Sequence, residues 1–428
     1  MDNQTLLIIN FISYLLLFLY YQNKKKVFDL GSVMLLTWCA SALGACWYYS
    51  FHVIKVIYPI LTFMPLLYIF ITNLYLFKPF LKTDYQSIDK INTYDLGHFL
   101  YIISIIFALC TIPPFINIIF KITSVSFTGK FLGNMYGSGE DNASLIFLPT
   151  IQPFFAISRH FIQFIFFLFF YNLTIINRKP LIIVGLGLNI ITFFLFSLLS
   201  GSRGGVISLL LNMSFYIFFM QNMFTKDIFR KIKRYTFIGI IFLSLGIGAI
   251  TLSRLSILNS QKTGQSKTQV DRWLAQYLGE GFIQFDSRLW DIEYTLNGEH
   301  NFPVIVGSYN PIAKDTKKFN SYQSSIAKRF TYVFYTYVGD IVLDFGIIGG
   351  AIAIFLLGLL IRWLLKFKNR EFSIYRLLIL NFIFIILTMG ITANVYRSYY
   401  NQMEIVYVLG LLYFLDLISK LKKKKELR

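Results

Sequence analysis

At 428 residues the chain is long enough for two or three soluble domains, but 56% apolar, 18% aromatic and 14% charged residues do not make a soluble composition. The formal charge of +19 comes from short basic clusters set between apolar runs, which excludes the concentrated basic face of a nucleic-acid-binding domain. The three cysteines, Cys39, Cys46 and Cys110, lie inside apolar runs with no CxxC spacing, which argues against a disulfide scaffold or a zinc centre.

A helix needs about 20 apolar residues to cross a hydrocarbon core of about 30 Å. Eleven stretches meet that length, near 4–21, 28–50, 53–77, 96–120, 151–174, 181–200, 205–224, 235–253, 336–361, 377–396 and 399–418. The first has no preceding positive charge and no small-residue cleavage site, so it reads as a retained helix. Lys and Arg near helix ends resist translocation. With the N-terminus outside, the cytoplasmic segments hold 24 of the 40 basic residues, and the tail 420–428 is cytoplasmic. The expected fold is therefore an all-α polytopic membrane protein with about eleven transmembrane helices. Residues 1–253 carry helices one to eight, 254–335 form one large extracytoplasmic loop, and 336–419 carry helices nine to eleven. Within the loop, WLAQYLGEGFIQF and RLWDIEYTL have apolar residues at helical spacing, which predicts short amphipathic helices.

In chain order, Arg159 and His160 come first among the polar candidates, near the outer start of the fifth helix. The run SLLSGSRGGVISLLL then sets Arg203 between two apolar helices among Gly201, Gly204 and Gly205. A guanidinium offers forked donors to a diphosphate while flanking glycines admit backbone N–H groups to the same oxygens. The same residues also suit a tight hairpin with an interfacial arginine. Arg254, Arg272 and Arg288 add positive charge on the outer side, where an anionic ligand would be held, or they pair with loop carboxylates. His300, in NGEHNFP, has a side chain suited to taking a proton from a sugar hydroxyl. Asp340 and Asp344 are four apart on one helix face, and intramembrane carboxylates are costly enough to imply a role, as a proton site or as counter-ions. Arg397, in NVYRSYYNQM, is a further cationic candidate or an interfacial anchor. There is no Walker loop, GxGxxG, HExxH or GxSxG, and no DxD-like nucleotide-sugar motif.

The SRG hairpin (200–211), the long outer loop and the segment TYVGDIVLDFGIIGGAIAIFLLGLL (336–360) resemble the O-antigen polymerase, or oligosaccharide repeat-unit polymerase, family (Wzy-type). Arg254 to Gly264 and Arg288 to Gly298 are near matches to a spacing of that family. The resemblance implies a metal-independent glycosyltransferase of a bacterial cytoplasmic membrane with no cofactor. Its donor and acceptor would be undecaprenyl-diphosphate-linked oligosaccharides of an O-antigen, capsule or exopolysaccharide. It implies Arg203, Arg254, Arg272 and Arg288 as diphosphate ligands, Arg203 and Arg254 also assisting catalysis, and His300 or a loop carboxylate as the base. A chain-length regulator and a flippase belong to such systems as partners. An O-antigen ligase shares this layout with a different acceptor, and a flippase of lipid-linked sugars is the rival from another class.

Overall fold

The computed structural model describes residues 2–58, 60–124, 146–175, 179–200, 202–236, 239, 248, 266–291, 295–309, 334–367, 369–397 and 399–426. Among the described residues the architecture is helical apart from one two-stranded ribbon. Among the described residues, six helical stretches are long and apolar enough to cross a membrane: Asn3–Lys25, Leu30–Tyr49, Phe63–Ser87, Tyr94–Thr123, Pro180–Leu199 and Thr336–Leu364. Gln152–His160 and Ile162–Thr174, bent by 73° at their junction, make a seventh if taken as one broken span. The stretches expected at 205–224 and 377–396 are the shorter apolar helices Arg203–Phe219 and Ile374–Met389. The expected 399–418 lies within the 28-residue helix Tyr399–Glu426. The 235–253 stretch falls almost wholly outside the described residues.

The chain divides into two compact units. The first comprises residues 1–83, 271–366 and 382–403. Its opening helices, Asn3–Lys25 and Leu30–Tyr49, are joined by a turn in which Lys26 adopts φ 56° and Asp29 forms a capping box with Ser32. Trp38 is fully buried, ringed by Tyr14, Phe77, Phe282 and Tyr337, and its indole N–H donates to the Leu387 carbonyl at 2.8 Å. Asn73 ties this core together by donating to the Tyr14 hydroxyl at 2.8 Å and accepting from the Tyr337 hydroxyl at 2.6 Å.

In the hydrophilic segment the structure has the helix Ser266–Gln284, continuing through a π-helical turn, Phe285–Leu289, while the described residues of RLWDIEYTL beyond Leu289 are not helical. This helix packs into the unit. A Cβ on Gly279 would lie 2.0 Å from the Ala45 backbone nitrogen, so the two backbones meet where neither residue carries bulk. Ser41 Oγ donates to the Leu278 carbonyl at 2.6 Å beside that crossing. Helix Thr336–Leu364, 29 residues or about 43 Å at 1.5 Å per residue, is broken at Gly346 (φ 70°, ψ 179°).

The second unit comprises residues 84–270, 367–381 and 404–428. Its ribbon pairs strand Lys90–Asn92 in parallel with Glu371–Ser373. Gly185 of the Pro180–Leu199 helix packs on Ala108, and the Asn189 amide donates to Thr111 Oγ1 (2.6 Å) and Ser158 Oγ (3.1 Å). Buried amides in apolar bundles are held in this way because an unpaired one is expensive. Large apolar side chains face outward in both units, Leu181 being 83% and Ile348 79% exposed, as expected of surfaces against lipid.

Candidate functional site

The first N–H groups of a helix have no partner within it. At the start of Thr336–Leu364 they are met by the turn that follows Ile374–Met389. Thr336 N–H donates to the Thr392 carbonyl (3.2 Å) and Tyr337 N–H to Gly390 (2.8 Å). This brings residues 390–397 against the turns that carry Asp340 and Asp344, both fully buried.

The break at Gly346 removes the helical donors due to the carbonyls just before it. Those carbonyls are taken up by the LNGEHN segment: Leu296 N–H donates to Leu343 (3.1 Å) and Asn297 N–H to Asp344 (2.9 Å). The Asp344 carboxylate then accepts from the backbone N–H groups of His300 (3.0 Å) and Asn301 (2.8 Å) and from the Asn301 amide (2.7 Å). Asn301 also donates to the Asp340 carbonyl at 2.6 Å and accepts from the Asn394 amide at 2.8 Å. Gln402 clamps the far side, accepting from Val304 N–H at 3.1 Å and donating to the Asn301 carbonyl.

Asp340 is the centre of this arrangement. Its Oδ1 meets His300 Nε2 at 2.9 Å and Arg397 Nη1 at 3.2 Å, and its Oδ2 accepts from the Asn394 backbone N–H. The imidazole is partly exposed, with 18% of its side-chain surface open, while the carboxylate has none. With Nε2 engaged by the carboxylate, the ring proton belongs there and Nδ1 carries the lone pair.

A second polar group lies on the helix that begins at Ser266. Arg272, Gln276, Glu280, Gln284 and Arg288 follow one another at four-residue intervals, a stripe with a cation at each end and a carboxylate in the middle. The amides of Gln276 and Gln284 each donate to Glu280 at 2.9 Å, and Gln284 also donates to the Tyr58 hydroxyl at 2.6 Å. The Arg288 guanidinium stands 5.6 Å from the centre of the Tyr58 ring. Burial pushes the Glu280 carboxyl up from its ordinary value, opposed by the two glutamines and by Arg288 and Arg272. Buried Tyr335 feels the charges of Arg397 and Asp340 and those of Arg288 and Glu280, which makes it the residue common to both groups. Burial raises its hydroxyl pKa.

The structure thus brings His300, Asp340, Asp344 and Arg397 into one cluster and sets Arg272 and Arg288 on the stripe. Arg159 and His160 belong to the second unit, at the bend before Ile162–Thr174. There the Arg159 guanidinium lies 5.9 Å from the Phe196 ring centre, His160 meets Tyr407 edge to face at 5.4 Å, and Glu404 accepts from Gln163 N–H at 3.4 Å. Arg203 is the first residue of its helix, following Ser202, whose Oγ accepts from Gly205 N–H at 3.2 Å. The hairpin read from SGSRGG is present, while the Arg203 side chain and the whole of Arg254 lie outside the described residues. Asn301, Asn394, Gln402 and Tyr335 were not singled out from the sequence. Their signals were present, since NGEHN and NVYR place amides next to His300 and Arg397. Among the described residues, no grouping of three His, Cys, Asp or Glu side chains could hold a metal ion. Compared with protein-family models, with curated proteins and with solved structures, the chain matches none.

Proposed function

We propose that the protein is a membrane-embedded glycosyltransferase that polymerises lipid-linked oligosaccharide repeat units at the outer face of a bacterial cytoplasmic membrane. In this reading it has eleven transmembrane helices, an outer N-terminus, an extracytoplasmic 254–335 segment and a cytoplasmic tail. The observation that carries the proposal is the His300–Asp340 pair, a partly exposed imidazole held through Nε2 by a buried carboxylate. That is the arrangement of a general base with an orienting acid. The acceptor hydroxyl gives its proton to Nδ1 as its oxygen forms the new glycosidic bond. The bond between the donor sugar and undecaprenyl diphosphate breaks, and the diphosphate leaves with the electron pair. Asp340 stabilises the charge gained by the ring, and Arg272 and Arg288 offset the charge developing on the diphosphate. Arg397 holds Asp340 in register through the same carboxylate oxygen.

The test uses purified protein with lipid-linked repeat units and follows glycan length. The unaltered protein should give a ladder of products, and His300→Ala should cut the rate by a hundredfold or more, the scale of general-base catalysis. Full activity in that variant would remove His300 from the mechanism. Arg203→Ala and Arg254→Ala, run in the same assay, test the diphosphate roles assigned from the sequence, each expected to leave single units. A ligase would pass glycan to a different acceptor and give no ladder.

A second reading, a flippase of lipid-linked sugars, is favoured by one observation. The 73° bend beside Arg159 and buried Glu404 is the kind of broken helix that lines transport pathways. Longer glycan from purified protein would set it aside, because a flippase makes no bond.

A further inference from the structure

At one end of the second unit a cavity of about 390 Å³ opens between the last turns of Ile162–Thr174, the first turns of Pro180–Leu199, the later half of Arg203–Phe219 and the helical residues 226–236. Phe169, Val184 and Met213 contribute to walls that are almost wholly apolar, and Ile228 and Ile232 close one side. Among the described residues, Lys231 is the only charged side chain in the lining. It is exposed and makes no ion pair among the described residues. Its helix also carries Lys226, Arg230, Lys233 and Arg234 against a single acid, Asp227. Lys179, at the foot of the neighbouring helix, adds to the same end.

An apolar slot with one cation at its mouth, beneath a strongly basic rim, has the complementarity of a lipid with an anionic headgroup. We infer that this cavity is a binding site for an anionic diacyl phospholipid. One acyl chain runs between Phe169, Val184 and Met213, and the headgroup phosphate sits on Lys231. The inference rests on the membrane setting alone and does not depend on the transferase reading. A zwitterionic lipid fills the slot equally well but is attracted less by the rim. A basic residue near an anionic lipid surface is worth about 1 kcal/mol, or about fivefold in affinity.

The experiment is native mass spectrometry of the full-length protein in detergent, titrated with phosphatidylglycerol, phosphatidylcholine or a polyprenyl phosphate, reading the first lipid retained. Phosphatidylglycerol should be favoured over phosphatidylcholine by about fivefold or more, as one basic residue implies. Lys231→Gln should cut that preference by about fivefold, and Val184→Trp, which fills the slot, should lose both. Equal retention by the unaltered protein, an undiminished preference in Lys231→Gln, or full retention by Val184→Trp would each overturn the assignment. Preferential retention of the polyprenyl phosphate that is lost in Val184→Trp would do so too, because it would place that lipid in the slot. Lys231 and Val184 are both exposed, so neither change should disturb folding, and circular dichroism of each variant verifies this.

Discussion

Asp340 accepts from three donors at once: an imidazole, a guanidinium and a backbone N–H. Breaking a buried ion pair by removing one partner typically costs about 3–5 kcal/mol, because the other charge is left without compensation. Asp340→Asn keeps the volume but presents an amide N–H₂ to groups that are themselves donors, so it should fall in that range and lower the melting temperature in detergent. His300→Ala, which opens a partly exposed position, should reduce activity with a much smaller loss of stability. Equal melting temperatures for Asp340→Asn and the unaltered protein would show that the carboxylate is not the hub of the cluster. At this scale the sequence was informative about types. His300, the two aspartates and Arg397 stand out as polar residues in apolar surroundings, and of the two carboxylates it is Asp340 whose geometry pairs it with a cation, Arg397. What could not be read was the pairing, since His300 and Asp340 are 40 positions apart and nothing local relates them.

Helix Phe63–Lys82 begins at Thr62, whose N–H and hydroxyl both donate to Asp286, at 2.8 and 3.2 Å. Burial nevertheless pushes the Asp286 carboxyl up from 3.8 to about 6, outweighing these hydrogen bonds. The folded form therefore holds its proton more tightly than the unfolded chain does. This contribution favours folding in acid and is lost as the pH rises from about 4 through about 6. The melting temperature of the unaltered protein relative to Asp286→Asn should fall across that window. A difference that stays constant with pH would refute the assignment. Gly346 occupies a backbone region essentially closed to other residues, where strain costs on the order of 1–3 kcal/mol. Gly346→Ala should lose stability by that amount even though its Cβ would meet nothing closer than 3.6 Å. It should also impair activity, because a continuous helix would withdraw the carbonyls that Leu296 and Asn297 use. Retained stability and activity would refute this. The helices themselves were legible, since run length and hydropathy are local properties. The break was not, because GIIGG reads as a continuation of an apolar run. Nor was the Arg272–Arg288 stripe, because its glutamines and Glu280 look like ordinary loop polarity until the four-residue interval is placed on a helix.

For the whole molecule, charge distribution makes an orientation claim that the helices alone do not. In a variant lacking Cys39, Cys46 and Cys110, a cysteine at position 299 should react with a membrane-impermeant maleimide added to intact cells, and one at position 233 should react only after permeabilisation. The reverse pattern would invert the topology and move the His300 cluster to the cytoplasmic face. The number of spans was the least legible feature at this scale. Apolar runs such as 205–224 and 377–396 look alike in sequence whether their helices are long or short, and the observed lengths are set by turns at Ser202, Met220 and Met389. One further consequence belongs to the clamp on His300. Because Asp340, Asp344, Asn394 and Gln402 hold His300 and Asn301, the imidazole owes its position to elements far apart in the chain, and that position is a read-out of their assembly into one unit.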